Sequence, residues 1–422
     1  MSSIDPDLVA GEVLTRFRAL QSRRKPKVRD NGAHEWVPLS GIVAEHDGQL
    51  ECLAVAIGMK CLPTSKVPQA NGTALHDWHA EILALRTANY FLLAECRRLA
   101  ESPEATSLLL RRRSDAELTC SGPQAEREVA WQAQPFAIRD GVILHMYCSE
   151  APCGDASMEL TMAAQDDAAP WELPSTKQTN ASEEPAADGT LLGRGYFSQL
   201  GVVRRKPARA DAPPTMSKSC SDKMALKQCS SILSSLVSLF IHPGNAYISS
   251  VVIPDYQYSV TACERSFSPA GRMSCLAGRT WDGGFAYRPF EVRTTKMDFE
   301  FSRRSVQARS GKIATCNLAA AWNSHGLDEG LVNGVLQGRK ASDPKGGSLC
   351  SRRKMWSLAR EAAALIQSPV IQAHLSPNQY CAFKAGTCLA PRSKAIQEAK
   401  VQALAGWAPN IGDDTFTIEP LT

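Results

Sequence analysis

No apolar run in this chain of 422 residues approaches the length of a membrane span, so a bilayer-crossing helix is not expected. The first 20 residues hold Asp5, Asp7, Glu12, Arg16 and Arg18 and contain no apolar h-region. A secretory signal peptide is therefore not expected either. Without an export signal, the 14 cysteines read as reduced thiols of a nuclear or cytoplasmic protein, not as a disulfide framework. With 44% hydrophobic residues the chain can bury a core without such staples. Internal repeats are absent, which excludes a repeat architecture. Net charge is also scarce, at +4, but unevenly placed: residues 1–190 sum to −9 and residues 191–422 to +13. That asymmetry points to a polyanion partner for the second half, or more plainly to basic residues solvating surface loops.

What is present is a small set of metal-type side chains. His79-Ala80-Glu81 is followed by Pro152-Cys153-Gly154. A neutral His79 imidazole and a Cys153 thiolate are both good zinc ligands, and Glu81 sits close enough to handle protons without being a ligand. In the short form of this pattern, P-C-x-x-C, a second cysteine would stand at position 156, where this chain has Ala156. A catalytic zinc takes three protein ligands and keeps one open position. The best third candidate is Cys220, in Ser217-Lys218-Ser219-Cys220-Ser221-Asp222-Lys223, at the start of a helical run. A helix N-terminus favours a thiolate. Cys120, Cys148 and Cys229 compete for the role, and His76 is a rival to His79. Cys148 reads as an inward-packing strand residue.

Periodicity predicts helices over residues 5–20, 79–99, 351–366 and 393–404. Strands are expected at Trp36–Ile42, Glu51–Ile57, Val142–Cys148 and Tyr247–Ile253, with shorter ones at Phe299–Phe301 and Ala314–Trp322. Gly330 to Gly334 reads as the turn after a strand. Residues 101–135 look like an insert. Residues 163–188 are acidic and poor in apolar periodicity, and read as a disordered loop. Arg23 to Arg29 is a basic stretch, most simply a solvated loop and alternatively an RNA contact. Because ligands from distant segments must converge, one domain over 1–422 is expected, with its core at about 50–410. Alternating strands and helices imply an α/β sandwich.

H-A-E, P-C-G-D-A-S and S-C-S-D-K, in that order, resemble the adenosine deaminases that act on RNA and their tRNA-specific relatives. Arg204 to Lys223 looks more like the tRNA branch of eukaryotes, and of fungi in particular. The resemblance runs from about Lys60 to Trp407. It implies a cytidine-deaminase-like α/β/α sandwich with a central mixed sheet, elaborated by inserts and C-terminal helices. It also implies one catalytic zinc on His79, Cys153 and Cys220, with Glu81 as proton shuttle. The implied reaction converts adenosine to inosine beside the anticodon of alanine tRNA. Such deaminases enclose inositol hexakisphosphate; the residues matching that basic cage are Lys60, Arg86, Lys223, Tyr380 and Lys384, with Lys400 and Trp407 less securely aligned. Leu85 and Leu226 stand where RNA-editing relatives have arginine.

Only 78 residues precede His79, too few for separate duplex-RNA-binding modules ahead of the catalytic fold. This favours a structured tRNA held by the deaminase domain itself. The alternatives are deamination of duplex RNA or a free nucleoside and, in another class, a non-catalytic RNA-binding scaffold. A scaffold is disfavoured because His79, Glu81, Cys153 and Cys220 are all retained. Oligomeric state and protein partners are not legible.

Overall fold

The computed structural model describes residues 4–119, 131–163, 191–192, 199–206, 212–340 and 343–418. All but Ala163 of the segment read as a disordered loop lies outside the described residues, as does part of the expected insert, 120–130. The architecture is mixed α/β around an eight-stranded sheet. Its strands are β1 (Leu39–His46), β2 (Gln49–Ile57), β3 (Ile143–Cys148), β4 (Ile248–Pro254), β5 (Glu291–Thr295), β6 (Ala319–Trp322), β7 (Asp328–Val332) and β8 (Val335–Leu336). They lie in the order β5-β4-β3-β1-β2-β6-β7-β8. The β5-β4 and β4-β3 pairs are parallel and the rest antiparallel, so the sheet is mixed.

Side-chain alternation divides the core between the two sheet faces. Val43, Val55 and Tyr147 meet helix α1 (Pro6–Arg18) through Val13, Leu14 and Phe17. Ile42, Ala54 and Met146 belong to the larger cluster on the other face, with Leu83 and Leu92 of α2 (Ala80–Glu101) and Met224 of α3 (Cys220–Ser230). Between β1 and β2 the alternation breaks once. Ile42 pairs with Ala54 but Val43 with Cys52, so Leu53 is an extra residue. This β-bulge keeps Leu53 and Ala54 in the same cluster. Helix α1 crosses the sheet closely: a Cβ on Gly41 would lie 2.6 Å from both Val13 Cγ atoms.

Two further helices close the large core. Helix α5 (Arg352–Ile366) packs along α2 and buries Trp356 against Tyr380, Phe383 and Phe416. Helix α6 (Ala390–Gln402) packs on α3. Of the insert region, Leu110–Arg112 pairs with Phe136–Ile138, which also pairs with Ile241–His242.

Some expectations need correction. The strand read over Ala314–Trp322 is two strands: Ile313–Thr315 pairs in parallel with His34–Trp36, and only Ala319–Trp322 enters the central sheet. Phe299–Phe301 is not a strand; Phe299 is a core anchor, its ring 4.9 Å from that of Phe17. Leu331 and Val332 continue β7, and the turn is Asn333-Gly334, whose φ values of 55° and 80° suit a tight hairpin. The edge strand β5 and the helix α4 (Val260–Phe267) were not foreseen: β5 has no alternation of buried and exposed residues, and α4, though one-sided, is only eight residues long.

Gly41→Ala is expected to destabilise the protein by about 1–3 kcal/mol through overpacking against Val13. Gly311→Ala, where a Cβ meets nothing within 4 Å, should change stability by less than about 0.5 kcal/mol. Denaturant unfolding of the two variants checks this.

Candidate active site

Three segments bring the metal-type side chains together. His79 caps the N-terminus of α2, its backbone N–H held by Asp77 Oδ1 at 3.0 Å. Cys153 follows the end of β3, and Cys220 opens α3. The ligand atoms of His79, Cys153 and Cys220 all lie within 4.8 Å of one another. Cys153 Sγ is 3.8 Å from His79 Nδ1 and accepts the Cys220 backbone N–H at 3.4 Å. Cys148 and Cys229 are buried and stand apart from this group. Cys120 lies outside the described residues. His76 does not join either; its Nε2 is 2.7 Å from Asp413 Oδ2.

The flanking letters of both motifs are struts between the two cysteine loops. Ser221 Oγ donates to the carbonyls of Pro152 and Cys153, at 2.9 and 3.0 Å, and accepts the Ala156 N–H at 3.1 Å. Gly154 has φ of 105°, and a Cβ there would fall 2.3 Å from Ser219 Oγ, so a side chain is excluded on both counts. Asp155 is buried and paired with Arg265 at 3.0 Å; Asp222 is buried and paired with Arg272 at 2.7 Å. Ser219 caps α3 through the Asp222 N–H.

A hydrogen bond from Cys220, with Lys206 and His79 nearby, holds the Cys153 thiol well below its ordinary value. Burial and the Cys153 charge push Cys220 well above it. The two thiols thus shift in opposite directions. Glu81 is buried in the first turn of α2, and its Oε2 has no hydrogen-bond partner among the described residues. Burial and the Cys153 charge raise its pKa.

Two functional neighbours escaped the sequence reading. Lys206 is buried, with Nζ 3.1 Å from Cys220 Sγ and 2.9 Å from Asp77 Oδ2. Asp77 also accepts Ser217 Oγ at 2.7 Å and pairs with Lys223. Its place between His76 and His79 was the available signal.

Of the residues matched to a basic cage, Arg86, Tyr380 and Lys384 lie in a second cluster, joined by Lys227, Arg392 and Arg352, which sequence reasoning had not named. Burial and the charges of Arg392, Arg352 and Lys400 push Lys384 down to about 7. Burial also brings Arg392 down to about 10 and Lys227 well below its ordinary value. Arg86 Nε and Arg392 Nε have no hydrogen-bond partner among the described residues. Lys400 and Trp407 are in contact, with Lys400 Nζ 5.1 Å from the ring centroid. Lys223 is turned instead to Asp77 and Ser217, beside the metal-type cluster. Lys60 is not brought into the cluster: it is half-buried and hydrogen-bonded to the exposed Asn317. Leu85 and the half-buried Leu226 pack in the apolar core.

A model of the adenosine-deaminase (editase) domain matches residues 54–410. The chain belongs to that family and is an enzyme of the deaminase class. It is 34% identical over 416 residues to tRNA-specific adenosine deaminase 1 of Schizosaccharomyces pombe, covering 97% of this chain and 96% of that protein. It is 32% identical to tRNA-specific adenosine deaminase 1 of Saccharomyces cerevisiae, over 59% and 58% of the two chains. Similarity to the double-stranded RNA-specific editase Adar of Drosophila melanogaster is 25%, over 52% of this chain and 30% of that one.

Lys206→Met is expected to lower stability by about 3 kcal/mol or more, because it removes a cation from the buried Asp77 carboxylate. Equilibrium unfolding checks this; unchanged stability would mean that Lys223 and Ser217 suffice for Asp77.

Proposed function

We propose that this protein is a zinc-dependent tRNA adenosine deaminase that forms inosine, acting next to the anticodon of alanine tRNA. The observation that carries the reading is the convergence of His79, Cys153 and Cys220 beside a buried Glu81, in a chain similar over almost its whole length to a tRNA-specific deaminase. One imidazole and two thiolates are a suitable donor set for zinc, which supplies a Lewis acid that makes the attacking water acidic. Glu81 takes one water proton and passes it to the purine ring nitrogen, then takes the proton of the new C6 hydroxyl and gives it to the departing amine as the C6 carbonyl forms. Water and adenosine are consumed; inosine and ammonia leave. Lys206 and Asp77 hold the Cys220 side of the site in place. Sequencing tRNA with and without the enzyme, for an A-to-G readout at one position, tests the substrate. Readout only in duplex RNA would favour the alternative that the editase relatives suggest.

The second cofactor proposed is inositol hexakisphosphate, held by Arg86, Lys227, Lys384 and Arg392, with Tyr380 at the edge. Support comes from charge: none of these cations forms an ion pair with a carboxylate of the described residues. Buried cations so arranged repel one another unless an anion lies among them. No described helix is long and apolar enough to cross a membrane.

Glu81→Gln is expected to lower deamination by at least about 100-fold while zinc content stays full. Cys220→Ala should lose zinc and activity together, whereas Cys148→Ala should keep both; metal analysis of the purified variants decides between them. For the polyanion, the test is pH. Lys384 is ordinarily protonated below 10.5 but is pushed down to about 7 in the folded chain alone. Between those values the unfolded chain binds more protons, so polyanion-free protein should gain stability as pH rises from about 7 to about 10. With the polyanion bound, Lys384 stays charged and that gain should vanish. Thermal melts across this range, with mass spectrometry of acid-released small molecules, check it.

A further inference from the structure

Resting on the RNA-substrate reading above, we propose that the surface built from residues 22–36 and 303–316 is the face on which the phosphate backbone of tRNA docks. Far apart in sequence, the two segments are woven into one unit. His34–Trp36 pairs in parallel with Ile313–Thr315, and the Arg29 guanidinium donates to the Thr315 carbonyl at 2.5 Å. The Lys312 ammonium donates to the Asn31 carbonyl at 2.7 Å.

The unit is tied to the active site at two points. The Arg303 N–H donates to Glu150 Oε1 at 3.1 Å, on the loop that leads to Cys153. Cys316 N–H donates to the Trp36 carbonyl at 2.9 Å, and the next residue, Asn317, bonds to Lys60. The Lys60 carbonyl in turn accepts the N–H of Trp78, beside His79 at the metal-type cluster.

The charge on this face is free. Lys27, Arg303, Arg304 and Lys312 are exposed, and none pairs with a carboxylate of the described residues. The buried acid beneath them, Glu35, is already paired with Arg29 at 2.9 Å. Two guanidinium groups lie over rings: Arg304 at 4.4 Å from the Tyr256 centroid and Arg303 at 5.9 Å from that of Trp36. An arginine laid on an aromatic ring keeps its N–H fork directed outward at little further loss of freedom, which suits phosphate oxygens. A folded RNA presents such oxygens in rows, and phosphate contacts set the position of the RNA without reading its sequence. The basic stretch Arg23–Arg29 thereby acquires a role through its neighbours in the fold.

The test compares Lys27→Ala/Arg303→Ala/Arg304→Ala/Lys312→Ala with Arg279→Ala/Lys394→Ala, which removes exposed cations paired with Glu398 and Asp282. The double variant Arg303→Ala/Arg304→Ala is included in case the fourfold change disturbs folding. Steady-state deamination of tRNA and direct tRNA binding across a salt series are measured on the full chain. The face variants are expected to raise KM by about tenfold or more with kcat little changed. Their salt slope, log Kd against log salt, should fall by about 0.7–0.9 per lost phosphate contact. The control should match the unmodified protein. Unchanged affinity and salt slope in both folded face variants would overturn the proposal, as would an equal loss in the control. If the unmodified protein deaminates duplex RNA and not tRNA, the substrate reading fails; if it deaminates tRNA and the folded face variants bind tRNA unchanged, this face alone is removed as the dock.

Discussion

The buried carboxylate of Asp77 is the constraint on which the rest of the site depends. One oxygen receives the His79 backbone N–H; the other meets Lys206, Lys223 and Ser217. Burial alone would push this acid up, but the two lysines outweigh it and hold it well below the usual carboxylate range. Asp77 therefore fixes the start of α2, and so the positions of both His79 and Glu81. Through Lys206 it also fixes the Cys220 sulfur. A single charged group thus connects the helix that carries Glu81 to the helix that carries Cys220.

Charge is distributed in two contrasting ways around this point. Around the His79, Cys153 and Cys220 group three buried carboxylates have cationic partners: Asp77 its lysines, Asp155 its Arg265, Asp222 its Arg272. On the other side Arg86, Lys227, Lys384 and Arg392 crowd together with their pKa values depressed. Burying such a group unpaired is among the most unfavourable arrangements a fold can contain. It is this cluster, more than the net charge of the chain, that supports the proposed polyanion.

The metal site is held by backbone as much as by side chains. Ser221 binds two carbonyls and an amide of the opposite loop, and Gly154 permits an approach that any Cβ would block. These contacts explain why the motifs extend beyond the cysteines themselves. A thiolate 67 residues from its companion in sequence can be placed to within a bond length only if both loops are cross-braced.

The convergence of His79, Cys153 and Cys220 beside Glu81 was legible because the motifs keep residue types suited to a metal in a fixed local setting. The long helices and the buried strands were legible because a 3.6-residue or two-residue period decides which face is apolar before any tertiary contact forms. The division of Ala314–Trp322 between two sheets was not legible, since both halves satisfy the same local preference and only their partners differ. Nor was the company of Lys227, Arg392 and Lys206. A lysine on a helix reads as a solvated residue until another segment covers it. The sequence by itself determined which side chains could bind a metal and move protons. The tertiary structure alone decided which charges would be buried together, because desolvation and Coulomb repulsion act between neighbours in space, with no trace in the local pattern of residues.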